Sequence, residues 1–295
     1  MQTKHQIQRL LASSGVVPNK RLGQHYLIDL NLMRLLIDAA EIRNDDLVLE
    51  VGCGTGSLTE AIAERAGYCI AVELDETVAT IAGRQLADAA NVQVVCCDVL
   101  ENKNTISETV REAIENRRKK HSGKVLLVAN LPYNVASSVM VNLTIGPTTV
   151  DGMYVTVQKE VADRMTASAG KSEYGTLSIF LSATGEVQMI RALKPTVFWP
   201  QPQVASAMVR FVRSEQKAAR IADMDIFVSV VHLFMEHRRK MLKACTKFAQ
   251  GKLKEIKNWQ EVFERASVQP QDRAGQVEPN QYVMLANLCV EQLNA

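Results

Sequence analysis

Leu47-Val48-Leu49-Glu50-Val51-Gly52-Cys53-Gly54-Thr55-Gly56 decides the fold. An apolar run ending in an acid and three alternating glycines leads straight into the helical pattern SLTEAIAERA at 57–66. Glycines there let the backbone turn sharply and approach a ligand with no Cβ in the way, while the helix N-terminus presents unpaired N–H groups. Spacing separates two chemistries. A GxGxxG loop aims a helix N-terminus at a pyrophosphate. The loop here is GxGxG with an acid two residues before the first glycine, so no phosphate is required. Taken alone, the loop also fits a plain tight turn between strand and helix.

Working outward, similar apolar β-branched runs recur as YCIAVEL (68–74), VQVVCC (92–97), KVLLVA (124–129) and GMYVTV (152–157), with the amphipathic DETVATIAGRQLADAA at 75–90. Such runs separated by helices predict strands of a mostly parallel sheet covered on both faces, an α/β doubly wound domain. VQMIRAL (187–193) and ASAMVRFV (205–212), joined by the Pro-rich KPTVFWPQPQ (194–203), predict a closing antiparallel hairpin that brings the sheet to seven strands. Beyond residue 213 no strand pattern follows; 224–250, 258–267 and 280–293 read as helices. The expectation is a small all-helical C-terminal domain over 222–295. ENKNTISETVREAIENRRKKHSG (101–123) reads as a surface helix with a basic end.

The chain has 295 residues, 47% of them hydrophobic and 22% charged, which excludes disordered and collagen-like classes. No apolar run approaches the ~18–20 residues of a membrane-spanning helix and no signal core is visible, so a cytoplasmic protein without membrane association is expected. The six cysteines, at 53, 69, 96, 97, 245 and 289, form no CxxC pair and predict buried reduced thiols and no metal. The net charge of +2 hides an asymmetry. Residues 1–24 carry Lys4, Arg9, Lys20 and Arg21 against no acid, 25–130 hold 11 basic and 17 acidic residues, and 237–257 hold eight basic residues against Glu255 alone. An acidic body with basic ends suits a polyanion gripped by the ends, or simply a solvated helix face.

Two acids extend the glycine loop into a site. Glu73 closes the second strand, where a carboxylate accepts hydrogen bonds from ribose hydroxyls, and Asp98 follows the third, where it meets an adenine amino group. Loop and acids share the carboxyl edge of the sheet and together point to an adenosine-type ligand; each acid alone is equally a cap or a solvated loop end. After the fourth strand come Asn130-Leu131-Pro132-Tyr133. Alkylating the exocyclic amine of adenine requires drawing its lone pair out of the ring. The amide oxygen of Asn130 and the main-chain carbonyl of Leu131 offer the acceptors, Pro132 fixes the turn and Tyr133 stacks on the base. A turn built on proline is the plain alternative.

With KRLGQHYLID (20–29), QKEVADRM (158–165), YGTLS (174–178), FWPQPQVASAMV (198–209), HRRKMLK (237–243) and PNQYVMLAN (279–287), the sequence resembles the ribosomal RNA adenine dimethyltransferase family over nearly its whole length. That resemblance implies a Rossmann-like class I methyltransferase domain over 25–213 behind a basic N-terminal arm (1–24), with S-adenosylmethionine as cofactor. Carried onto this chain, it implies that His25 and Leu27 touch the methionine end and that Gly52 and Gly54 line the cofactor. It places Glu73 on the ribose, Asp98 on the adenine, and Asn130 where cofactor and target amine meet. Phe198 is the candidate for the far face of the flipped adenine. Arg238, Arg239, Lys240 and Lys243 are candidates to grip RNA. The family often has Asn and Phe where His25 and Tyr26 stand. The implied reaction is dimethylation of two adjacent adenines in a 3′-terminal hairpin loop of small-subunit rRNA, on a pre-ribosomal particle, by a monomer. Three rivals remain: a large-subunit rRNA adenine methyltransferase of the antibiotic-resistance type, an idle RNA-binding assembly or transcription factor, and a nicotinamide oxidoreductase, which the GxGxG spacing disfavours.

Overall fold

The computed structural model describes residues 1–19 and 22–294. Seven strands form the central sheet: β1 Leu47–Val51, β2 Tyr68–Glu73, β3 Val92–Cys96, β4 Val125–Asn130, β5 Gly152–Gln158, β6 Gly185–Leu193 and β7 Ser206–Arg213. Their order is β3-β2-β1-β4-β5-β7-β6. Strands β1 to β5 pair in parallel, and β7 runs antiparallel to β5, with Val209 opposite Val155. Strand order reverses between β1 and β4, so the loops leaving these two strands flank a crevice, the place where open α/β sheets bind ligands.

Buried runs explain the pairing. β1 and β2 are buried along their entire length, as expected of strands covered on both faces. On one face, Leu36 and Ile37 from α2 (Leu30–Ala40) and Ile62 from α3 (Ser57–Ala63) pack with Val48, Leu126 and Val128. Helix α2 opens on Asp29 and α4 (Glu76–Gln85) on Asp75, each carboxylate accepting two first-turn N–H groups. The stretch 101–123 departs from the single helix expected. A small hairpin, Leu100–Asn102 with Thr105–Ile106, precedes α5 (Glu108–Arg118), because Asn102 folds back onto the N–H of Asn104. A further helix, α6 (Ala136–Ile145), follows the 130–133 turn, its first N–H groups bonded to the carbonyl of Pro132.

The chain forms two compact units: Met1–Ala162 with Gln188–Val212, and Asp163–Val187 with Arg213–Ala295. This redraws the expected division at two places. First, the N-terminal segment belongs to the first unit. Ile7 and Leu11 of α1 (Lys4–Ser13) are buried against Val78 and Ile81 of α4, each contributing about 1.5–3 kcal/mol of apolar burial. Gln2 is buried as well, its amide paired to Thr55 and its N–H to Ser57 in the glycine loop. Lys20 and Arg21, half of the basic charge expected there, lie outside the described residues.

Second, residues 163–187 leave the sheet domain for the helical unit. α7 (Thr176–Thr184) is buried on nearly all sides, and its Phe180 meets Phe227 edge-on at 5.7 Å. Tyr174 is fully buried with its hydroxyl donating to Val277 O at 2.7 Å, and Gly170 N donates to Gly275 O at 2.7 Å. The other long helices of this unit are α8 (Met224–Met235), α9 (Trp259–Arg265) and α10 (Pro279–Leu293). Helix α8 ends fifteen residues short of the predicted 250, at the polar run His237-Arg238-Arg239-Lys240, after which short turns carry the chain. No described helix is long and apolar enough to cross a membrane.

Candidate active site

A cleft of about 660 Å³ opens at the carboxyl edge of the first unit, lined among others by His25, Tyr26, Gly52, Gly54, Glu73, Asp98, Asn130 and Pro132. A second, of about 380 Å³, shares Tyr26, Gly52, Gly54 and Asn130 with it and adds Leu27, Glu50, Cys53 and Thr55. Sharing these lining residues, the two form one trough.

The glycines are required by their surroundings. Gly52 has φ +76°, and a Cβ there would stand 2.7 Å from Cγ of Pro132; at Gly54, φ is +57° and a Cβ would stand 2.8 Å from Cε1 of Tyr26. The loop is therefore pressed on one side by the 130–133 turn and on the other by the 25–27 segment. Glu73 is buried and accepts N–H groups from Gly54 (2.9 Å), Leu74 (2.9 Å) and Asp75 (3.0 Å). Three of its roughly four lone-pair positions are thus taken, one of them by the glycine loop itself, and Oε2 keeps capacity for a further donor. Helix α4 is capped by Asp75, which leaves Glu73 free of that duty. Burial raises its carboxyl above the ordinary range, opposed by the three N–H groups. Asp98 is exposed, turns one oxygen to the N–H of Leu100 and lines the cleft.

Asn130 is held at both ends of its amide. Its Nδ2 donates to the carbonyl of His25 at 2.7 Å, and its Oδ1 accepts the hydroxyl of Thr156, a fully buried residue of β5. One Oδ1 lone pair remains for a ligand. Thr156 was invisible as a site residue in the sequence, where it is one threonine in a strand. Leu131 has a buried side chain and a main-chain N–H bonded to Thr156 O, so only its carbonyl is available to the site. Tyr133 bonds Ser206 through its hydroxyl at 2.7 Å, and its ring stacks on His25 at 5.4 Å with 28° between planes. His25 in turn is fixed through Nδ1 to Pro200 O at 2.6 Å.

Phe198 requires correction. It is 2% exposed, pairs with Leu27 in a two-residue ladder and sits in the hydrophobic core, so its ring is not presented to a base. What it does is pin the 25–27 segment against the glycine loop. The expectation of six buried thiols is corrected too: Cys53, Cys69, Cys245 and Cys289 are buried, whereas Cys97 lines the cleft and Cys96 is exposed where β3 ends.

Two buried polar groups border the trough. Glu50 is completely buried beside it with its carboxyl pushed up to about 8, despite a hydrogen bond from Thr59 at 2.6 Å. The hydroxyl of Tyr26 is buried, raised by that burial, and has no partner in the protein. A buried phenol without a partner is costly, and a bound ligand is the natural source of one. Among the described residues, no cluster of three or more His, Cys, Asp or Glu side chains is placed to hold a metal.

The model of the ribosomal RNA adenine dimethylase family matches residues 17–289. The chain belongs to this family. Relatives include the ribosomal RNA small subunit methyltransferase A of Bacillus cereus, 31% identical over 289 residues, which span 98% of this chain and 97% of the relative. The probable ribosomal RNA small subunit methyltransferase A of Methanopyrus kandleri is 32% identical over 82% of this chain and 81% of its own. Among solved structures, a dimethyladenosine transferase from Plasmodium falciparum superposes with a TM-score of 0.72 at 21% identity, over 90% of this chain and 98% of that one. The 23S rRNA methyltransferase ErmE superposes at 0.60 and 22% identity, over 92% and 100%. Both support the fold, a class I methyltransferase sheet. As a member of the ribosomal RNA adenine dimethylase family, the chain is an S-adenosylmethionine-dependent methyltransferase.

The expected RNA-gripping residues lie in the second unit. Arg239, Lys240 and Lys243 are exposed. Arg238 differs from them: Nη1 donates to Ser172 O at 3.0 Å and Nη2 to Lys171 O at 3.3 Å, so its guanidinium ties the 170s loop to the end of α8.

Proposed function

We propose that this chain transfers methyl groups from S-adenosylmethionine to N6 of two adjacent adenines in a 3′-terminal hairpin loop of small-subunit rRNA, giving dimethyladenosine during assembly of the small subunit. The observation that carries the reading is Asn130, clamped between His25 and Thr156 at the point shared by both halves of the trough. The names of the relatives that match over nearly the full chain favour the small subunit over the large.

Bound S-adenosylmethionine supplies a methyl group already activated by its sulfonium. The trough residues divide the work of holding it. Glu73 offers its spare lone pair to ribose, Asp98 its outer oxygen to the adenine amine, and Leu27, Gly52 and Gly54 line the methionine end. At the target, the spare lone pair of Asn130 and the carbonyl of Leu131 accept the two N–H bonds of the adenine amine. That interaction turns the nitrogen lone pair out of conjugation with the ring, toward the methyl group. The amine loses its proton as it is alkylated, so neutral acceptors serve and no strong base is needed. Clamping Asn130 from two sides fixes the acceptor before substrate arrives, which is how preorganised dipoles lower a barrier. The target base leaves its stack to reach this point, at a cost of about a few kcal/mol, and Tyr133, stacked on His25, offers an aromatic surface that returns part of it.

In this reading the exposed Arg239, Lys240 and Lys243, with Arg238 behind them, hold phosphates of the particle's RNA, and the protein acts as a cytoplasmic monomer. The test is transfer of tritiated methyl groups to small subunits isolated without the modification, followed by nucleoside analysis. The expected product is dimethyladenosine in small-subunit RNA. Small subunits that take no label, while large subunits lacking their modification and offered in parallel do, would overturn the assignment.

A further inference from the structure

The aromatic residues of the second unit divide into two kinds. Phe227, Phe234, Phe263 and Tyr282 are buried in its core, whereas Phe248, at the end of the short turn Thr246–Phe248, is 43% exposed. Its ring centroid lies 4.1 Å from that of His237, with 45° between planes, and Nζ of Lys240 stands 4.2 Å from the Phe248 ring centroid. Lys243 and Lys247 are exposed on the same short stretch. The part of the phenyl ring that stays exposed adds no apolar burial to the fold, and it sits beside a second ring within the most basic segment of the chain.

We propose that His237 and Phe248 form a stacking platform for one unpaired RNA base, separate from the site that receives the target adenine. The proposal rests on the reading that RNA is the substrate. The charge around the pair selects a polyanion, and the exposed aromatic face selects one whose bases are open, since bases within a duplex offer no free face. Lys240 covers the ring while it is free. Its flexible ammonium makes a weak exposed cation–π contact, and a neighbouring phosphate competes for it directly. On binding, the ammonium moves to the phosphate and the base takes the ring.

The test compares the full-length protein with Phe248→Leu, which keeps apolar bulk, and Phe248→Trp, which keeps the aromatic face. Two RNA probes are used: a hairpin with an adenine-rich loop carrying 2-aminopurine, and a blunt duplex of equal length. Phe248→Leu is expected to weaken hairpin binding about tenfold, the size of one lost base–aromatic stack, with the salt dependence and the duplex affinity unchanged. Phe248→Trp is expected to bind the hairpin as the wild type does and to quench the 2-aminopurine. Wild-type hairpin binding that Phe248→Leu leaves intact, or an equal loss on both probes, overturns the platform while the substrate reading stands. Wild-type protein that binds neither probe overturns both.

Discussion

The trough and the 237–257 segment hold their polar groups in opposite ways. In the trough, Glu50 and Glu73 are buried and Asn130 is half-buried, and almost every polar atom has an assigned partner: Thr59 for Glu50, three main-chain N–H groups for Glu73, His25 O and Thr156 for Asn130. Along 237–257 most charges stand in solvent, Arg238 being tied by hydrogen bonds to main-chain carbonyls and Lys240 resting over the Phe248 ring. The difference is physical. Groups held by buried hydrogen bonds keep fixed positions, the condition under which preorganised dipoles lower a barrier. Holding a phosphate backbone requires positive charge within reach and tolerates flexible lysines.

Asn130→Ala is expected to produce the largest effect, a loss of about 10²–10³-fold in turnover, as for a deleted preorganised dipole. Because Asn130 also anchors the carbonyl of His25, a smaller loss of cofactor affinity should accompany it. Single-turnover assays with calorimetry of cofactor binding separate the two, and near-normal turnover would remove Asn130 from the site. Glu73→Ala comes next. It removes a charged acceptor and strands three N–H groups, so cofactor affinity should fall by about 1–3 kcal/mol and thermal stability with it. Unchanged calorimetric affinity would take Glu73 off the ribose.

Glu50 sharpens the contrast through pH. Its folded carboxyl sits near 8, above the unfolded value of 4.5, so the folded state holds the extra proton between these values. Its contribution is therefore fully favourable below about pH 4.5 and is lost as pH rises toward 8, at no more than about 1.4 kcal/mol per pH unit. Glu50→Gln should flatten the stability–pH curve between pH 5 and 8 in denaturant titrations. Equal slopes for the two proteins would show that the carboxyl is ionised in the fold. The smallest effect belongs to the exposed segment. Neutralising Arg239, Lys240 and Lys243 should leave cofactor affinity unchanged, weaken RNA binding, and reduce the slope of log affinity against log salt by about 2–3. A slope that does not move would take this segment out of the RNA interface.

Much of this was legible before any coordinates. The five parallel strands lie within a residue or so of their apolar runs; the inner four are buried along nearly their whole length and so tolerate little that is polar, while β3 at the sheet edge is only partly buried. Gly52, Gly54, Glu73, Asp98 and Asn130 line the trough since each closes a strand, and parallel strands end on one edge. Phe198 misled for a definable reason. A phenyl ring near a Pro-rich turn suits a base or a core equally, and the choice was made by a two-residue pairing with Tyr26 and Leu27, more than 170 positions away. The 163–187 segment likewise carries an apolar helix that matches either unit until Tyr174 and Gly170 find their carbonyl partners near 275.

Sequence by itself determined which edge of which sheet would gather the glycine loop, the two acids and the 130–133 turn, because strand periodicity and glycine spacing are local properties of the chain. Only the tertiary structure decided that Thr156 and His25 hold Asn130, that Phe198 belongs to the core, and that Arg238 ties a loop. Each of those outcomes depends on a contact between residues far apart in the chain, whose pairing is set by how the buried surfaces close rather than by any pattern along the backbone.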